Sequence, residues 1–532
     1  MTENSLSPFA EQIFKRTYAF DETETWEGCS ARVAKFVANG DSALEKKFFD
    51  AISTRKFIPG GRYLYSAGRE LPQTTNCFLL KAEDSREGWG KLINKHMVAL
   101  STGGGVGTWY GDIRPKGTPI NRYGGVASGP LSLMRMINEV AREVMAGGKR
   151  RSALWAGLPW YHADIEEFIV SKNWTTSIKA MKERDFNFPA PLDMMNISVC
   201  LDDEFFKAAK KDPKVWDLYY RVCKLMCKTG EPGFSIDTKD HRNEVLRNPC
   251  TEVVSDTDSD CCNLGSINFG RISTLSELED ITRIATRFLY LGTFTGWLPH
   301  DDFRGVREKN RRIGLGLMGL HEWCLKNDQT YEPTGNLGKW LATWQRVSDE
   351  EAGKVAAELN SVVPVAVRAC APTGTIGIIG ETTTGIEPVY CVAYKRRWLD
   401  NQGKWKFNYV IDPTAGRLVQ EGISPDDIED AYSLATDVEK RISMQAFVQG
   451  FVDQAISSTI NLPEYGEYGN SNVKKFSETL FKYLPRLRGI TVYPEGARPG
   501  APLSPIKYET AIKHKDVVYE EERDCLSGVC GI

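Results

Sequence analysis

The sequence predicts a mixed α/β protein, and three observations carry that expectation. Apolar or β-branched runs of strand length recur: TNCFLL at 75–80, NISVC at 196–200 and GITVY at 489–493. Segments with helical spacing lie between them, such as the apolar stretch 131–145. Glycines cluster where chain segments must approach closely, at 103–107 and at 314, 316 and 319. With 532 residues the chain can bury a large core.

Composition excludes several function classes. Hydrophobic residues make up 41% and charged residues 26%, a globular rather than a disordered balance. Net charge is -3 with dispersed lysines and arginines, which argues against binding nucleic acid directly. No run of about 18 apolar residues and no basic-then-apolar N-terminus occurs, so no membrane span is expected. Thirteen irregularly spaced cysteines fit a reducing, cytoplasmic setting better than a secreted disulfide framework. Six histidines and the lack of HExxH or paired CxxC spacing point to no tightly bound metal.

In chain order, helices are expected around Phe14, Lys15, Arg16 and Thr17, from Thr25 to the Asn39-Gly40 stop, and after a Ser42/Glu45 capping box with Leu44, Phe48 and Ile52 on one face. Residues 57–62 (FIPGGR) look like a turn and 63–68 (YLYSAG) like a short strand ending in small residues; such residues suit a diphosphate. Cys77 opens the strand 75–80, where a buried cysteine is usually packing. Cys223 and Cys227, one helical turn apart, also suit packing. GGKRRSA at 147–153 offers Arg150 and Arg151 to a phosphate or base edge.

The densest chemistry lies at 248–270, NPCTEVVSDTDSDCCNLGSINFG. Asn248, Cys250 and Glu252 stand at alternate positions, so in extended chain an amide, a thiol and a carboxyl share a face. Cys261 and Cys262 are adjacent, and strand alternation turns Cys261 away from the side of Cys262. Farther on, APTGTIG at 371–377 puts threonine hydroxyls around a glycine at a loop-to-helix junction, a phosphate-binding arrangement. The last residues carry Cys525 and Cys530 with Ser-Gly between them, a spacing that allows a disulfide.

These motifs, in this order, resemble the large (catalytic) subunits of ribonucleotide reductases over nearly the whole chain. NPCTE resembles the family's finger loop, CNLGSIN at 262–268 its following barrel strand, and APTGTIG its phosphate loop with Gly377 in place of the usual serine. TTTGIEP at 382–388 is also a family pattern, and DQAISSTINLP at 453–463 resembles DxxISKTINLP with Ser458 at the lysine. The resemblance implies a ten-stranded α/β barrel of two parallel five-stranded halves around a central finger loop, with an N-terminal helical cap. The implied domains are a helical segment 1–56 without the family's ATP cone, a barrel 57–505 and a redox-active tail 506–532.

The resemblance also implies roles. Cys250 would carry the thiyl radical that takes the 3′ hydrogen, Glu252 would be the base for the 3′-hydroxyl and Asn248 would orient the substrate hydroxyls. Cys77 and Cys262 would supply two electrons and end as a disulfide; Cys525 and Cys530 would reduce it, and thioredoxin or a similar reductant would reset the tail. Ser66, Ala67, Pro372, Thr373, Gly374, Thr375 and Ile376 would hold substrate phosphates, and Asp84, Ser85, Arg114, Arg150 and Arg151 a deoxynucleotide specificity effector. Tyr493 stands alone before Pro494, where radical-relay members carry two adjacent tyrosines. That favours the adenosylcobalamin-dependent class II branch over a class I subunit that needs a separate metal-containing radical generator. An anaerobic glycyl-radical member lacks support in the C-terminal sequence. A silent nucleotide-binding protein would not need five redox cysteines, and a general thiol oxidoreductase would not need phosphate loops. The substrate class is ribonucleoside di- or triphosphate, and the helix at 131–145 could pair with a second copy, as in dimeric members.

Overall fold

Three helices open the chain: α1 (Pro8–Thr17), α2 (Trp26–Ala38) and α3 (Ser42–Ser53). The computed structural model describes residues 5–120, 124–144, 152–185, 187–238, 242, 244–399, 405–497, 503–514 and 517–520. Each helix start is capped by an oxygen side chain. Ser7 accepts from the Ala10 amide and Thr25 from the Gly28 amide, and Asn39 ends α2 in the left-handed region. The third cap lies one residue before the expected Ser42: the Asp41 carboxylate accepts from both Ala43 and Leu44 amides, which a hydroxyl serves less well. The apolar faces, with Trp26, Val33, Val37, Phe48 and Ile52, are buried together against the rest of the chain.

Two local expectations give way to tertiary context. The expected turn at 57–62 begins as a strand, β1 (Phe57–Pro59), paired antiparallel with residues 265–267 and buried throughout. The expected strand at 63–68 is instead a short helix, α4 (Gly61–Ser66). Its Ser66 hydroxyl donates back to the Arg62 carbonyl four residues earlier, and Tyr63 and Leu64 both enter the core.

The first half of the main sheet is β2 (Cys77–Lys81), β3 (Gly105–Trp109), β4 (Leu154–Pro159), β5 (Met195–Leu201) and β6 (Gly233–Ile236), all parallel neighbours. Between β2 and β3 lies α5 (Arg86–Ser101), between β3 and β4 α6 (Pro130–Glu143), and these two helices pack on each other. After β6 the chain makes a two-stranded hairpin, β7 (Leu246–Arg247) and β8 (Val254–Ser255). The second half starts with β9 (Asp260–Asn268) and its parallel neighbour β10 (Ile313–Met318). β10 bridges through Leu315 to Arg368, and Cys370 bridges to Ile456. A further strand pair, β13 (Thr459–Leu462) and β14 (Gly489–Pro494), is also parallel. β11 (Ala393–Leu399) and β12 (Trp405–Ile411) sit apart, flanked by β15 (Leu503–Pro505) and β16 (Val518–Glu520) in a separate antiparallel sheet.

The two parallel halves meet antiparallel at two seams, β2 with β9 and β6 with β14. With the extended stretch 368–370 counted as a strand position, the ring closes with five parallel positions on each side. This is the expected ten-stranded barrel. Side chains alternate across its wall: Phe78 and Leu80 pack outward against the helices, whereas Cys77 and Leu79 point inward with Cys262, Leu264 and the hairpin residues Leu246 and Val253.

Candidate active site

The β7–β8 hairpin is the finger loop, and it runs inside the barrel. Gly107 shows why the wall must be bare there: a Cβ on it would stand 1.7 Å from the Arg247 carbonyl oxygen. The base of the finger is fastened by buried charges. Arg247 pairs with Asp237 at 2.6 Å; Arg488 pairs with Glu244 at 2.9 Å. Ser255 on the returning strand donates to Asp260 at 2.7 Å, and Asp260 also takes Arg312 at 2.8 Å and Asn310 at 2.9 Å. Each charge has an opposite partner at hydrogen-bond distance, the condition under which buried ions persist. At the tip, Asn196 of β5 donates to the Pro249 carbonyl at 3.1 Å, and Thr251 adopts a positive φ of 66°.

That tip brings the predicted triad together at a cavity of about 1230 Å³. Asn248, Cys250 and Glu252 all line it, and Cys250 is exposed to it. Asn248 is locked on both sides: Val253 N–H donates to its Oδ1 at 2.9 Å, and its Nδ2 donates to Cys77 Sγ at 3.0 Å. Glu252 is 1% exposed. Its Oε1 accepts from Cys77 Sγ at 3.9 Å, its Oε2 has no partner among the described residues, and its carbonyl accepts from Ala455 N–H. Burial raises its carboxyl pKa to about 7, against smaller opposing hydrogen bonds from Asn248, its own amide and Cys77. A carboxyl so poised can exchange a proton near neutral pH.

Cys77 and Cys262 are directly opposite partners at the β2–β9 seam. Cα atoms so placed lie about 4.5–5.5 Å apart, within the reach of a disulfide. Burial pushes both thiols up; for Cys77, Glu252, Cys262 and Cys250 add to that, whereas Arg312 beside Cys262 opposes it. Cys261 faces the outer core with Phe78, as alternation predicts.

Of the expected phosphate residues, Pro372, Thr373, Gly374, Thr375 and Ile376 line the same cavity. Thr373 Oγ1 accepts from Gly385 N–H at 2.7 Å, which ties this loop to the TTTG turn. The departure at Gly377 has a local reason: a Cβ there would stand 2.9 Å from the Thr384 methyl. Ser66 and Ala67 are not among the cavity-lining residues. With α4 covering Gly61–Ser66, the Ser66 hydroxyl donates to Arg62 and Gln73 carbonyls, and Gly60, Gly61, Arg62 and Tyr65 line the cavity from that segment.

The effector residues lie elsewhere. Asp84 pairs with Arg114 at 2.6 Å, and Ser85 caps α5 by accepting from Gly88 N–H. Arg150, Arg151, Cys525 and Cys530 lie outside the described residues. The sequence reading missed the charges at the finger base; the acidic residues before Cys261 were the only local signal. Glu387 of the TTTGIEP pattern, to which the sequence assigned no role, lines the cavity; its carboxylate accepts from Thr459 N–H at 2.8 Å and pairs with Arg441.

Comparison with known proteins agrees with this geometry. Residues 75–226, 215–337 and 360–484 match "Ribonucleotide reductase, barrel domain", and residues 4–72 match "Ribonucleotide reductase, all-alpha domain". The chain is 28% identical over 524 residues to a vitamin B12-dependent ribonucleoside-diphosphate reductase of Mycobacterium tuberculosis, covering 86% of this chain and 73% of that protein. It is 27% identical over 528 residues to one of Thermoplasma acidophilum, covering 86% and 67%. A ribonucleoside-diphosphate reductase large chain of Cryptosporidium parvum is 25% identical over 352 residues, covering 57% and 44%. With its barrel, its finger loop and these matches along most of its length, the chain belongs to the ribonucleotide reductase large-subunit family.

Proposed function

We propose that the chain is an adenosylcobalamin-dependent, class II ribonucleotide reductase. The observation that carries the reductase reading is Cys250, exposed at the cavity on a finger whose next inward carboxyl, Glu252, is buried and poised near pH 7. Support for the cofactor comes from relatives named as vitamin B12-dependent, which match along 86% of the chain. The cavity fits such a group: it exceeds the roughly 300–1,000 Å³ of an ordinary small-ligand site and reaches from Cys250 to Tyr390, Tyr394 and Tyr493, residues that would help hold it. When bound, adenosylcobalamin supplies the radical that oxidises Cys250.

The chain's residues then divide the work. The Cys250 thiyl takes the 3′ hydrogen, Glu252 takes the 3′-hydroxyl proton and Asn248 holds the hydroxyls. The 2′ carbon–oxygen bond breaks and the oxygen leaves as water with the hydrogen of one thiol. C2′ gains the hydrogen of the other thiol as Cys77 and Cys262 give two electrons and join as a disulfide. Glu252 returns the 3′-hydroxyl proton, and Cys250 returns the 3′ hydrogen and is again a thiyl. Cys525 and Cys530 exchange with that disulfide and are reset by thioredoxin or a similar dithiol. Loop residues 372–376 hold the substrate phosphates. Asp84, Ser85 and Arg114, with Arg150 and Arg151, take a deoxynucleotide effector. The division into a helical segment 1–56, a barrel 57–505 and a redox tail 506–532 belongs to this proposal.

The test is deoxynucleotide formation by the purified chain with ribonucleotides and a dithiol, with and without adenosylcobalamin. Product only with the cofactor is expected. Silence in both, across all four nucleotides and effectors, would overturn the class II reading. A class I catalytic subunit is the second reading, since Tyr493 does line the cavity; restoration by a separate radical-generating subunit would favour it.

A further inference from the structure

The N-terminal helix is part of the cavity wall. Phe9, Ile13, Arg16, Thr17 and Tyr18 line it, although α1 precedes the barrel by some sixty residues. α1 packs on the helix Gly374–Gly380, which follows the phosphate loop. Its direction is fixed at one end. Ser7 N–H donates to Glu381 Oε1 at 2.8 Å, and Arg55 pairs with the other oxygen of Glu381 at 2.7 Å while reaching the Ser5 carbonyl. Glu381 caps the C-terminal end of helix Gly374–Gly380, so the start of α1 lies at that end. Arg16, in the last turn of α1, and Thr373 and Gly374 of the phosphate loop line the same cavity.

Three arginines line the cavity. Arg62 stacks on Tyr65, with its guanidinium against Gly103, and Arg396 stacks on Phe9. Arg16 is exposed and, among the described residues, makes no hydrogen bond or ion pair. The end of α1 is also braced: Tyr18 is buried against Gly61, where a Cβ would stand 2.8 Å from its ring. A guanidinium on a braced helix end, paired with no carboxylate among the described residues and lining the cavity that the phosphate loop also lines, suits the outermost phosphate of the substrate.

We propose that Arg16 binds the terminal phosphate of the ribonucleotide and makes α1 a specificity element of the active site. This rests on the reductase reading. Steady-state turnover by the full chain with adenosylcobalamin and a dithiol, on the di- and triphosphate of one nucleoside, tests it. Arg16→Gln is expected to raise KM for the substrate whose terminal phosphate it meets about 10- to 100-fold with kcat nearly unchanged, and Arg16→Lys to recover part of that. A shift confined to the diphosphate assigns the β-phosphate, and one confined to the triphosphate the γ-phosphate. KM values within twofold of wild type on both substrates, or a loss of kcat alone, would overturn the proposal. Equilibrium binding of the same nucleotides without cofactor separates the two readings. A wild type that makes no product overturns the reductase reading, whereas Arg16 stands or falls on whether Arg16→Gln weakens nucleotide binding.

Discussion

Replacing Glu252 by glutamine separates stability from activity in a way few core substitutions do. The carboxyl is held near pKa 7, against an ordinary 4.5, chiefly because it is buried. Between those pH values the folded protein keeps a proton that the unfolded chain releases. Folding stability from this group is therefore fully present below pH 4.5 and is lost as pH rises to about 7. At about 1.4 kcal/mol per pH unit the gap amounts to roughly 3 kcal/mol. Glutamine cannot ionise and escapes this loss. Glu252→Gln should match wild type near pH 4.5 and exceed it by up to about 3 kcal/mol at pH 8. Thermal unfolding midpoints of both proteins from pH 4.5 to 8.5 read the difference. The same variant should be inactive, and single-turnover reduction by pre-reduced wild type should fall about tenfold from pH 7 to pH 6 or just below it. A Glu252→Gln protein less stable than wild type at pH 8, or a wild-type rate flat from pH 6 to 8, would refute the reasoning.

Three further expectations concern the finger, the tail and the outer helices. Gly107→Ala drives a methyl into the Arg247 carbonyl, so it should cost at least about 1–3 kcal/mol and depress turnover more than folding; a normal melting curve with normal activity would speak against the threaded finger. Cys525→Ser should permit turnover with small dithiols but not with thioredoxin, and equal loss with both reductants would remove the shuttle role. Met97 on α5 and Met136 on α6 are each 47% exposed on helices that pack together. If this face joins two copies, Met136→Glu should convert dimer to monomer by light scattering at micromolar concentration, and an unchanged mass would exclude the face.

Asn248, Cys250 and Glu252 do face one cavity, as the motif suggested, but a turn rather than extended chain brings them there: the Thr251 N–H donates to the Asn248 carbonyl at 3.0 Å and Thr251 has a positive φ. The opposition of Cys77 to Cys262 was not readable from spacing, since it depends on an antiparallel seam between strands nearly two hundred residues apart. Alternation still placed Cys261 on the far side. Residues 63–68 misled because aromatic and small residues fit a strand locally, while the contacts that bury Tyr63 and Leu64 are distant in sequence. In that segment the Ser66 hydroxyl donates to the Arg62 and Gln73 carbonyls and the Ala67 carbonyl accepts from Arg32. The lock on Asn248 was equally hidden. Its amide spans Cys77 and Val253, so its orientation is set by two partners the motif does not name.

The most direct test of the central claim, that the Cys250 sulfur initiates reduction, is single-turnover deoxynucleotide formation by pre-reduced Cys250→Ser with adenosylcobalamin present. Cys227→Ala, a change in a core cysteine remote from the cavity, serves as control. No product from Cys250→Ser beside normal product from the control is the predicted result. Deoxynucleotide formed by Cys250→Ser at a rate near wild type would contradict the account.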